Sequence, residues 1–139
     1  MLEPVLTSPA YEEVTNEILV TATPFYVSEK SSPENDYYFF AYKIIITNIG
    51  HTSIKVLNRH WIIRDGKKVE KFINGEGVVG EQPVIAAGDS FEYTSFCPLS
   101  TPTGNMRGKY EVQTDEGEKF WIKVPLFFFR RPESFISLQ

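Results

Sequence analysis

The segment YYFFAYKIIITNI, Tyr37 to Ile49, limits what this chain can fold into more than any other stretch. Side chains of a strand alternate between two faces. Tyr38, Phe40, Tyr42, Ile44 and Ile46 therefore share one face, and Phe39, Ala41, Ile45 and Ile49 the other. Both faces are apolar, which predicts a central strand with neighbours on either side and a layer packed against it.

The remaining runs agree with a sheet. NEILVTATPFYV, Asn16 to Val27, is rich in β-branched and aromatic residues, and Pro24 near its middle makes it a strand that is bent or lies at an edge. IKVLNRHWIIRDGKKVEKFI holds Asp65-Gly66 between two strand-like runs, which predicts a hairpin whose turn takes its positive φ there. DSFEYTSFCPL puts Phe91, Tyr93, Ser95 and Cys97 on one side and Glu92, Thr94 and Phe96 on the other. GKYEVQTDEGEKFWIKVPLFFF reads as a second hairpin turning at DEG. No stretch carries a helical apolar period with a cap. The expectation is one all-β domain over residues 1–139, an immunoglobulin/fibronectin type III-like antiparallel β-sandwich of about seven or eight strands. Its ends are expected to be irregular over about 1–12 and 130–139, and a small closed barrel is the alternative architecture.

Aromatic content of 14% strengthens the sheet reading, and 42% apolar with 23% charged residues is the balance of a globular domain. The net charge of −4 argues against a general phosphate-backbone binder, so no nucleic-acid partner is expected. Lys55, Arg59, Arg64, Lys67 and Lys68 cluster around Trp61, but alternation spreads them over both faces and a turn, as in a solvated hairpin. The single cysteine, Cys97, makes no internal disulfide and no thiolate metal site alone. The N-terminus lacks a basic region followed by an apolar one, and the densest apolar runs, YYFFAYKIII and VPLFFF, fall far short of the roughly 20 residues that span a bilayer. A cytoplasmic protein with no membrane contact is expected.

NGEGVVGEQP holds Gly75, Gly77 and Gly80 in the order G-x-G-x-x-G. In a dinucleotide site such glycines precede a helix whose N-terminus faces the phosphate. Here Pro83 would break that helix, Glu76 and Glu81 place negative charge beside the supposed phosphate, and no Lys or Arg lies between Gly75 and Pro83. The loop reads instead as a connection on the sandwich. Its exposed backbone between Gly75 and Gly80 is a candidate contact for a partner or, alternatively, for a phosphate held by backbone N–H groups.

RHWIIRDG, GEGVVGEQP, AGDSFEYTS and TPTGNMRGKYEV, in that order, resemble the ApaG family over roughly Tyr11 to Phe128. With no second domain in the sequence, the likeness is to the standalone bacterial form. It implies the same immunoglobulin or fibronectin type III-like sandwich. It also implies a link to cobalt resistance and magnesium efflux, with which bacterial members are associated. Fusions of the domain into eukaryotic F-box and DNA-polymerase-associated proteins suggest an interaction module. Cys97 departs from the small or polar residue expected after EYTS, which leaves the fold expectation unchanged.

Candidate chemistry is sparse. His51 and His60 stand at no spacing that joins either to a second strong ligand, so no metal and no cofactor are expected. Glu76 and Glu81 are the alternative, as oxygen ligands for a hard divalent cation. Cys97 precedes Pro98 with no base nearby, and no G-x-S-x-G elbow occurs. The chain is therefore expected not to be an enzyme, a phosphate-ester hydrolase being the outlying alternative. Phe127, Phe128 and Phe129, followed by Arg130 and Arg131, are the candidate interface for an unidentified protein partner or a second copy of the chain. Alternation sends Phe127 and Phe129 one way and Phe128 the other. His60 and Trp61 are candidate supports of the glycine loop.

Overall fold

The computed structural model of the chain describes residues 9–132. These form nine strands: β1 (Tyr11–Thr15), β2 (Ile18–Tyr26), β3 (Tyr38–Asn48), β4 (Ile54–Asp65), β5 (Glu70–Glu76), β6 (Val84–Ile85), β7 (Ser90–Leu99), β8 (Thr103–Thr114) and β9 (Lys119–Arg130). Among the described residues the only helical turns are two short 3-10 segments, Ser28–Lys30 and Pro33–Asn35. One sheet has the order β1-β2-β3-β7 and the other β5-β4-β8-β9, with β6 also paired to β4. Every pairing is antiparallel. The irregular ends expected over about 1–12 and 130–139 lie mostly outside the described residues. Where they overlap, the expectation is corrected, because Tyr11 and Glu12 open β1 and Arg130 closes β9.

β3 is the central strand its sequence predicts, flanked by β2 and β7. Its residues Tyr38, Phe40, Tyr42, Ile44 and Ile46 are buried in the inter-sheet core. On the opposite face Ala41 and Phe39 join Phe25 and Val27 in a small satellite cluster. Ile49 falls beyond the end of β3 and is 52% exposed, so it does not extend that second face. Pro24 sits where β2 has only β3 as a neighbour, since β1 covers β2 no further than Ala22. An edge position tolerates a residue without an N–H.

Both predicted hairpins form, and they share one construction. At β4–β5, Lys68 N–H donates to Asp65 O at 3.0 Å and Asp65 N–H to Val69 O at 3.0 Å. At β8–β9, Gly117 N–H donates to Thr114 O at 3.0 Å and Thr114 N–H to Glu118 O at 2.9 Å. Each is a turn followed by one left-handed residue. That residue is Gly117 (φ 89°) in one and Lys68 (φ 70°) in the other, so the positive φ expected at Asp65-Gly66 lies at Lys68. A Cβ at Gly66 would be crowded, standing 3.0 Å from Thr103 Oγ1 and 3.2 Å from Thr101.

Between the sheets, Trp61 meets Tyr110 edge-on at 5.9 Å and Phe127 at 6.3 Å between ring centroids. The hydroxyls of Tyr93 on β7 and Tyr110 on β8 hydrogen-bond to each other across the two layers. Such a pair satisfies two buried polar groups that would each be costly alone. Asn48, 1% exposed, donates from Nδ2 to Thr52 O at 2.8 Å and Ile85 O at 3.0 Å, which ties the β3–β4 turn to β6. Lys123 N–H donates to Thr15 Oγ1 at 3.2 Å, joining β9 to β1 along one side of the sandwich.

Candidate functional site

The glycine loop continues directly from β5. Val78 N–H donates to Glu81 O at 2.8 Å and Glu81 N–H to Val78 O at 2.9 Å, with φ of 43° at Val79 and 81° at Gly80. Positive φ at both central residues defines the mirror-image tight turn, in which a β-branched residue such as Val79 is an outlier. Val78 is fully buried in the core, whereas Val79 at the tip is 51% exposed. Gly77 (φ 60°) admits no side chain, since a Cβ would lie 1.9 Å from Glu81 O. Its N–H donates to Leu57 O at 2.7 Å, and Gln82 Nε2 donates to the same carbonyl at 2.9 Å.

Arg59 holds the loop from the neighbouring strand. Its Nη1 donates to Glu76 O at 2.8 Å and to Gly77 O at 3.1 Å. A Cβ on Gly75 would come 2.7 Å from the guanidinium, so the first glycine of the motif makes room for this arginine. The three glycines thus admit Arg59, allow a close chain approach and form a turn. The N–H groups of Gly77, Val78 and Glu81 all donate inside the protein, and Glu76 and Glu81 are exposed.

His60 pairs in register with Asn74 at the start of the glycine segment, but the rings of His60 and Trp61, the residues expected to support the loop, make their contacts elsewhere. Trp61 is 3% exposed in the inter-sheet core, and the His60 ring sits 5.9 Å from that of Trp121. The supporting residue is their neighbour Arg59, which register places opposite Gly75. Counting back along both strands from the Asp65-Gly66 turn was the signal for that pairing. Of the candidate interface, Phe127 and Phe129 are 0% and 1% exposed and belong to the core, while Phe128 is 50% exposed. The alternation was right, and the interface expectation narrows to Phe128.

Two other regions carry unsatisfied groups or exposed apolar surface. The outer face of β9 and its neighbours exposes Trp121 (40%), Leu126 (45%) and Phe128 (50%). Lys109 Nζ lies 4.6 Å from the centre of the Trp121 ring, and Lys109 stands opposite Lys123 in register. The second region is a cleft of about 650 Å³ where the β4–β5 turn meets the ends of β2 and β9. Arg64, Lys68 and Arg130 line it beside aromatic and proline walls.

The thiol of Cys97 is buried, and burial pushes its pKa up to about 12. Burial likewise raises the Tyr93 and Tyr110 hydroxyls above the usual tyrosine value. These groups are neutral at ordinary pH. Among the described residues no three His, Cys, Asp or Glu side chains are grouped to hold a metal ion, and His51 is exposed in the β3–β4 turn. No helix among them is long and apolar enough to cross a membrane.

Two antiparallel sheets packed face to face make this an immunoglobulin/fibronectin type III-like β-sandwich. A family model described as the ApaG domain matches residues 28–114. Protein ApaG of Rhodopseudomonas palustris strain TIE-1 is 50% identical over 123 residues, covering 88% of this chain and 95% of that protein. Protein ApaG of Bradyrhizobium diazoefficiens is 46% identical, covering 89% and 95%. The crystal structure of the putative ApaA protein from Bordetella pertussis superimposes with a TM-score of 0.81 at 42% identity, covering 90% and 97% of the two chains. The C-terminal domain of wzt, at 7% identity and a TM-score of 0.52, shares the fold alone. The chain belongs to the ApaG family.

Proposed function

We propose that the chain is a non-catalytic, cytoplasmic protein-interaction domain. Its docking surface is the outer face of the five-stranded sheet around Trp121, and its partner is a protein presenting acidic side chains. The observation that carries this is the direct opposition of Lys109 and Lys123 beside the exposed Trp121. Like charges directly opposite in a sheet are unfavourable, and exposed aromatic surface inside a polar rim is the arrangement found at interfaces. Lys119 lies on the same outer face of β9 and is exposed. An acidic partner relieves the repulsion, whereas a second copy docking by a two-fold would bring the same cations together.

The association of bacterial ApaG proteins with cobalt resistance and magnesium efflux is then an indirect consequence of the partner's activity. Affinity capture from the native lysate tests the reading when wild type is compared with a Lys109→Glu, Lys123→Glu double variant. A stoichiometric partner held by wild type and lost by the variant supports it. No stoichiometric partner, or one retained equally by both, overturns it.

A further inference from the structure

The cleft at the end of the sandwich shares no residue with the glycine loop. Arg64 and Lys68 reach it from the β4–β5 hairpin, and Arg130 from the end of β9. Among the described residues none of the three makes an ion pair with an acidic side chain. Asp65 is the acidic residue in the cleft lining, and its Oδ1 accepts turn hydrogen bonds from Lys67 N–H at 2.8 Å and Val69 N–H at 3.0 Å. Glu70, opposite Arg64 in register, contacts Arg107 at 3.4 Å instead. In a chain of net charge −4, three cations gathered at one opening are a local excess.

Asn105, in the cleft lining, carries a buried polar atom with nothing to bond. Asn105 Oδ1 is enclosed and has no hydrogen-bond partner, and Asn105 lies in one register row with Arg64 on β4 and Phe128 on β9. A buried acceptor without a donor is unfavourable, and a turn of the Asn105 side chain into the cleft it lines would let a ligand hydroxyl or amino group supply the donor. Apolar groups line the walls: the Tyr11 and Phe128 rings stand 6.3 Å apart at 48° to each other, and Pro9 and Pro24 also line the cleft. Its volume of about 650 Å³ falls in the range of small-molecule sites.

We propose that this cleft binds a small organic phosphate with a planar body. The phosphate meets Arg64, Lys68 and Arg130, the body lies against Tyr11 and Phe128, and a donor on the body reaches Asn105 Oδ1. A phosphate monoester carries between one and two negative charges at neutral pH, which suits three cations better than a single carboxylate does. Guanidinium groups match its oxygens in pairs.

Calorimetric titration with adenosine monophosphate, inorganic phosphate and adenosine separates head from body. The expected result is saturable binding of the monophosphate in the micromolar to low millimolar range, with each fragment bound more weakly. An Arg64→Ala, Arg130→Ala double variant, both positions being partly or fully exposed, should stay folded by circular dichroism and weaken the monophosphate by about tenfold or more. Asn105→Leu should lower affinity for the monophosphate and leave that for inorganic phosphate unchanged. No saturable binding of the monophosphate, or binding undiminished in the folded double variant, overturns the proposal. A loss of phosphate and monophosphate binding alike on Asn105→Leu also contradicts the assignment of that residue. Because the docking surface is tested by protein capture with Lys109 and Lys123, failure of either reading leaves the other standing.

Discussion

The glycine loop and the end cleft invert what a motif reading leads one to look for. The loop carries the pattern associated with phosphate, yet its amides at Gly77, Val78 and Glu81 and its carbonyls at Glu76 and Gly77 are bonded within the protein. The cleft carries no motif, yet it gathers three cations without ion pairs among the described residues and an acceptor without a donor. The loop sits beside Leu57 and Arg59, roughly 20 Å along β4 from the turn at Asp65 at strand rise. A site that satisfies itself has little left for a ligand, whereas unmet polar groups in a concave place are what a ligand can satisfy.

This contrast breaks most readily in the loop. Gly77→Ala forces a Cβ onto Glu81 O, in a backbone conformation that alanine disfavours, and it displaces the buried Val78 next to it. The expected loss is about 3–5 kcal/mol of stability in urea denaturation. A change under about 1 kcal/mol would show that the loop is free to rearrange and is not the rigid structural element described. Arg59→Ala leaves two loop carbonyls without their donor and should destabilise by about 1–3 kcal/mol, with faster hydrogen exchange at Gly77 and Val78. Equal exchange in variant and wild type would remove Arg59 from its supporting role.

Much of this architecture is legible in the sequence because alternation writes burial directly. The β3 run, the inward set of β7 and the opposed directions of Phe127 and Phe128 follow from strand period alone. The two hairpins are readable from Asp65-Gly66 and Asp115-Glu116-Gly117, but the turn geometry is not, since Lys68 takes the left-handed position that Gly66 was expected to fill. β1 and β6 escape notice because YEEVT and a two-residue strand have too little pattern of their own, and pairing with β2 and β4 defines them. Arg59 is hidden among the hairpin's basic residues until register sets it against Gly75. The cleft is not readable at all, since Pro24, Arg64, Asn105 and Arg130 converge only through the topology.

The most direct test of the contrast is a map of backbone amide shifts as adenosine monophosphate is added to the isotope-labelled protein. The account predicts saturable shifts at Arg64 to Lys68, at Gly104 and Asn105 and at Phe128 to Arg130, with none at Gly75 to Glu81. Saturable shifts centred on Gly77 and Gly80, with the cleft unmoved, would contradict it.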